Sequence, residues 1–82
     1  MNYHETITYY YKTLLILSNG DTILYDKTED YPQPLEPNQK SKLLQDCVKT
    51  LQENEYVQFS DSVIFSSHVA RIEIKMHQRY SY

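Results

Sequence analysis

The chain has 82 residues, a net charge of −3, one glycine, one cysteine and no tryptophan. That length makes one small domain over residues 1–82, and such a domain buries only about 60% of its unfolded surface. The acidic balance argues against a dedicated nucleic-acid binder with a strongly basic surface, and the lone Cys47 excludes an intrachain disulfide.

Glu5 to Ser18 reads as a long first strand. One face carries Ile7, Tyr9, Tyr11, Thr13, Leu15 and Leu17, and the other Thr8, Tyr10, Lys12, Leu14 and Ile16. Leu14 and Ile16 break strict alternation. A first strand apolar on both faces reads as a sheet edge that invites a second copy. A homodimer through strand addition or face stacking is therefore expected, and it suits a domain with so little core.

Ser18-Asn19-Gly20-Asp21 follows. Asn-Gly between apolar runs predicts a tight two-residue hairpin turn. Asp21 to Lys27 returns as a second strand, with Ile23 and Tyr25 on one face and Thr22 and Leu24 on the other. Thr28 to Glu36 is a connection, because Pro32 and Pro34 lack the donor a ladder needs.

A helix starts between Pro37 and Asn38, where proline suits the first turn and asparagine the cap. Leu43, Leu44, Cys47, Val48 and Leu51 make one apolar stripe at helical spacing. Asn54 ends it. Tyr56 to Phe59 is a short strand, Ser60-Asp61-Ser62 a turn, and Val63 to Phe65 apolar again. Ser66-Ser67-His68 bends the chain into a last strand, Val69 to Met76. Ala70, Ile72, Ile74 and Met76 are expected inside, and Arg71, Glu73 and Lys75 in water. Gln78 to Tyr82 is expected to fray, with Tyr80 and Tyr82 free to dock on a neighbour.

These elements predict an α+β fold of ββαββ type, an antiparallel sheet with one amphipathic helix on one face. A small, partly closed β-barrel with one helix is the alternative.

Little in the chain points to catalysis. His4, His68, His77 and Cys47 lack the paired spacing of a metal site. Ser66, Ser67 and His68 are adjacent, but extended neighbours point apart and no glycine-rich elbow is present. Glu29-Asp30 and Glu53/Glu55 fall in loops or helix ends, where carboxylates stay solvated. A single glycine in a turn cannot build a phosphate loop. No cofactor, no metal and no enzymatic activity are expected.

The suggestive features are aromatic and basic. The chain has nine tyrosines, and Tyr9, Tyr10 and Tyr11 run directly into Lys12. Residues 1–61 carry ten acids and five bases, whereas residues 62–82 carry Glu73 against Arg71, Lys75 and Arg79. Tyrosine offers large contact area at low rotamer cost, which suits interfaces.

The expectation is a small non-enzymatic binding or regulatory protein that recognises another protein, of the kind found among phage and plasmid accessory proteins. Tyr9, Tyr10, Tyr11, Lys12, Arg71, Lys75 and Arg79 are its expected binding residues. The alternative is a nucleic-acid-binding module that uses the same tyrosine and basic surface, which requires the first and last strands to be neighbours. Met1 to Glu5 has neither a basic stretch nor an apolar one, and the longest wholly apolar run is Leu14 to Leu17. A cytoplasmic location without membrane contact is the expectation.

Overall fold

A computed structural model of the chain describes residues 5–81. Strand β1 spans Thr6–Leu17, β2 Thr22–Lys27, β3 Tyr56–Gln58, β4 Val63–Phe65 and β5 Val69–Ser81, with helix α1 at Pro37–Glu53. The fold is α+β. One antiparallel sheet has the order β2-β1-β5, and β3 pairs with β4 in a separate two-stranded sheet. The larger sheet is open, since β2 and β5 are not paired with each other. The partly closed barrel is thereby overturned.

The β1–β2 hairpin closes differently from the two-residue turn expected for Asn19-Gly20. Gly20 donates its N–H to the Leu17 carbonyl at 2.9 Å, and Leu17 donates to Asp21 at 2.8 Å. Gly20 has φ 92, and among the described residues no other residue has positive φ. A two-residue type I′ turn needs positive φ at both centres, and Asn19 does not have it. The loop therefore takes three residues, with glycine alone in the left-handed position. The Asn19 carboxamide oxygen accepts the Asp21 N–H at 3.0 Å and locks the corner.

Helix α1 begins with Pro37 in its first turn, where a missing N–H costs nothing. Glu36, not Asn38, is the cap, and its N–H is taken up by the Gln39 side chain at 2.8 Å. At the far end the Asn54 carboxamide donates to the Thr50 carbonyl at 2.8 Å. The apolar stripe lies against the sheet with Cys47 at its centre, buried.

The core is correspondingly small. Tyr11, Leu15 and Cys47 are its buried hydrophobic residues, with Thr13 beside them. Three of these come from alternate positions of β1, so the odd-numbered face of that strand is the one under the helix. Tyr11 ties the long connection to this core: its hydroxyl oxygen accepts the Leu35 N–H at 2.8 Å, and its ring meets Tyr31 edge-on at 6.4 Å.

Strand β1 is the centre of the sheet, not its edge, because β5 lies along its full length. That ladder also corrects the expected frayed tail. Thr6 faces Ser81, Ile7 faces Tyr80, Thr8 faces Arg79 and Tyr9 faces Gln78. Local pattern did not reveal this strand because its partner lies far away in sequence. Tyr82, like His4, is outside the described residues. Ala70 and Met76, expected inside, are exposed: Ala70 sits where the β1–β5 register slips, and Met76 lies on the helix side with its side chain uncovered.

The two long strands make the molecule 55 Å in its longest dimension against 28 and 20 Å. Among the described residues, no helix is long and apolar enough to cross a membrane.

Candidate functional site

The even-numbered face of β1 looks away from the helix. Neighbouring strands present side chains to the same side at matched positions. The β1–β5 register places Thr8 beside Arg79, Tyr10 beside His77, Lys12 beside Lys75, Leu14 beside Glu73 and Ile16 beside Arg71. Five expected binding residues therefore share one surface: Tyr10, Lys12, Arg71, Lys75 and Arg79. The adjacency of first and last strands that this surface requires is present.

Two expected members do not belong to it. Tyr11 is 1% exposed and holds the core. Tyr9 shares its face, and its backbone bridges Tyr31 on the connection. A single residue of strand parity separates Tyr10 from both, so the tyrosine run divides between core and surface.

Two residues join the site that the sequence did not mark for it, Lys27 and His77. Lys27 arrives through a bulge in β2. From the turn outward Ile16 faces Thr22, Leu15 faces Ile23 and Leu14 faces Leu24. Continued without interruption, that register would bring Asp26 opposite Lys12 and form an ion pair. Tyr25 is instead the extra residue, Asp26 falls opposite Thr13, and Lys27 falls opposite Lys12. Bulges re-aim side chains in this way, and they are frequent on edge strands such as β2 as well as beside functional sites.

The result is a row of three lysines across the sheet, Lys27, Lys12 and Lys75, on strands about 4.8 Å apart. Like charges directly opposite each other destabilise a sheet. The outer two have company: Lys27 lies 4.9 Å from the Tyr10 ring centre, and Lys75 approaches Glu73 at 3.9 Å. Among the described residues Lys12 has no ion pair.

The neighbouring row centres on Tyr10. His77 stacks on it at 5.1 Å and 15° between planes, and the Arg79 guanidinium sits 4.8 Å from its centre. Such cation–ring contacts hold both partners in place. Arg79 also bridges to Asp30 at 2.9 Å, and Thr8 donates to the same carboxylate at 2.8 Å. Toward the hairpin the face turns apolar, with Leu14, Ile16 and Leu24, the last 48% exposed.

The face thus carries five of the chain's eight lysines and arginines, with Glu73 and Asp30 bound among them. It is basic on a chain whose net charge is negative.

Polar groups around the Ser66–His68 turn are hydrogen-bonded to neighbouring backbone. Ser66 donates to the Asn54 carbonyl at 2.6 Å, and the backbone carbonyl of His68 accepts from Ser18. The segment around them is one turn of 3₁₀ helix, Ser66–His68, rather than a simple bend. Burial pushes the Cys47 thiol above its ordinary value, and the Asp26 carboxylate adds to the effect. Among the described residues, no group of three or more histidine, cysteine or acidic side chains converges as a metal site.

No family model, curated protein or solved structure matches this chain.

Proposed function

We propose that this is a non-enzymatic binding protein whose open sheet face docks an acidic, partly apolar surface of another protein. The observation that carries the reading is the lysine row, produced by a bulge that displaces the one carboxylate in position to neutralise Lys12. An arrangement that lowers the stability of the free chain is compensated when an anionic partner arrives.

Two features favour protein over single-stranded nucleic acid. Base stacking needs an open aromatic face, whereas Tyr10 is already packed by His77, Arg79 and Lys27. The apolar half, Leu14, Ile16 and Leu24, suits the desolvated centre of a protein interface. A regulatory role, in the manner of an accessory protein acting inside the cell, fits a small chain with one binding face.

The test is a titration of isotope-labelled protein with two probes, an Asp/Glu- and Leu-containing peptide and an oligothymidylate of equal charge. The expected result is tighter binding of the peptide, shifts in the Tyr10 and His77 ring signals, and loss of both in Lys12→Glu. Tighter binding of the oligonucleotide, with affinity falling steeply as salt rises, would move the reading to nucleic acid. Shifts confined to α1 would remove the open face altogether.

A further inference from the structure

Among the described residues, no strand pairs with the outer edge of β5. From Arg71 to Arg79, where the register is regular, that edge is roughly 30 Å long at about 3.3 Å per residue. It contains no proline and no glycine. Natural edges of this length are normally shortened, kinked, covered or charged, and the charges of β5 alternate in sign at Arg71, Glu73 and Lys75. Edge strand β2 is short and bulged, while β5 has its register irregularity at Ala70 and pairs regularly with β1 from Arg71 to Ser81.

Three other features lie along the same edge. A groove of about 520 Å³ separates α1 from β5, lined by Leu44, Val48 and Leu51 on the helix and by Val69, Ala70 and Ile72 on the strand. Met76 lies further along β5 on the same side, 47% exposed. On the opposite side Glu73 stands between Arg71 and Lys75.

We infer that β5 pairs antiparallel with β5 of a second copy, about a two-fold axis at Ile74, giving a continuous six-stranded sheet. The sequence of the strand selects both the occupant and the register. With the axis at Ile74, Glu73 faces the partner's Lys75 and Lys75 faces the partner's Glu73. On the helix side Ile74 meets its own copy, and Ile72 meets the partner's Met76 at the mouth of the groove. Each chain's exposed methionine is then covered by the other chain's apolar groove.

The neighbouring registers are worse. An axis at Glu73 opposes the two glutamates and sets Arg71 against the partner's Lys75. An axis at Lys75 opposes the two lysines and sets Arg71 against the partner's Arg79. Like charges so placed are destabilising. An axis at Ile72 ends the pairing near Met76 and leaves it uncovered. An axis at Met76 sets Lys75 opposite the partner's His77 and takes it away from the partner's Glu73. Paired main-chain groups supply the affinity in such strand addition, and the side chains supply the register.

The two-fold axis stands perpendicular to the sheet. Both helices therefore lie on one side, and both basic faces lie side by side on the other. The dimer does not depend on the nature of the acidic partner, and its test uses the purified chain alone.

The experiment is sedimentation equilibrium over a concentration series. Wild type is expected at twice 9.8 kDa. Glu73→Lys and Lys75→Glu each place like charges opposite each other twice, so each is expected at the monomer mass. The charge swap Glu73→Lys/Lys75→Glu restores both pairs and is expected to return to the dimer. Circular dichroism confirms that each variant is folded, and because the two single variants are independent, one misfolded single leaves the other as the test. A monomeric wild type overturns the inference. So does a dimer that survives both single substitutions, and so does a swap that stays monomeric.

Discussion

Lys12 lies directly opposite Lys75 on β5 and directly opposite Lys27 on β2, at the centre of an open sheet face. The register that would have given Lys12 a carboxylate is broken one residue earlier, at Tyr25. The charge is therefore unpaired because of the backbone, not because acids are scarce nearby. In a chain with 11 acidic residues against eight lysines and arginines, such a cluster supports the proposal that this face meets a partner.

The row should weaken the free protein. Replacing Lys12 with threonine removes two like-charge contacts and suits a strand. We expect a gain of about 0.5 kcal/mol, or a rise in Tm of about 2–4 °C for a domain of this size. In 1 M salt, where the Debye length is about 3 Å, the gain should shrink. Thermal melts at low and high salt measure both effects. A loss of stability at low salt would show that Lys12 is held by contacts rather than opposed by them.

Tyr11 connects the core to the chain crossing. Tyr11→Phe keeps the ring against Tyr31 but leaves the Leu35 N–H without its acceptor. An orphaned, partly buried donor costs about 1–3 kcal/mol. Chemical denaturation should show that loss, and amide exchange at Leu35 should quicken more than at Leu15. Unchanged exchange at Leu35 would mean that the phenol does not hold the connection.

Gly20 tests the turn. No atom lies within 4 Å of the place a Cβ would occupy, so crowding does not enter. Only the left-handed backbone, φ 92, opposes a side chain. Gly20→Ala should cost about 1–2 kcal/mol. A neutral effect in denaturant unfolding would mean that the loop relaxes to a turn that does not need glycine.

Cys47 gives stability a pH dependence of known sign. Burial first, and Asp26 second, raise its pKa above the ordinary 9.0. Below that value the thiol is protonated in both folded and unfolded chains, and its contribution is constant. As pH rises beyond it, the unfolded chain releases a proton that the native one retains, so stability falls. Cys47→Ala should flatten the decline relative to wild type. Parallel curves for the two proteins across that range would contradict the burial of the thiol.

The helix was legible because Leu43, Cys47 and Leu51 repeat at the spacing that makes one face. The hairpin was legible from Asn19-Gly20, although the loop is one residue longer, with Gly20 and not Asn19 at positive φ. That Tyr9 and Tyr11 share one face, and Tyr10 and Lys12 the other, followed from strand parity alone. Which face met the helix did not, since either could have been buried. The strand from Gln78 to Ser81 was hidden because its order comes from pairing with Thr6 to Tyr9, at the opposite end of the chain. Lys27 was hidden because its place depends on the bulge at Tyr25, a backbone feature without a marker residue here. His77 looked like part of an exposed end until β5 carried it beside Tyr10.

The open face is proposed to bind an acidic protein surface. It is tested by capture from untreated and nuclease-treated lysates of the source cells, with tagged wild type, Lys12→Glu and Lys27→Glu compared side by side. Both substitutions lie outside the proposed β5 dimer contact, so assembly does not confound them. One protein, acidic where it contacts this chain, is expected to be retained in fixed proportion by wild type and lost from both variants. Equal retention by all three would contradict it, as would capture that disappears with nuclease.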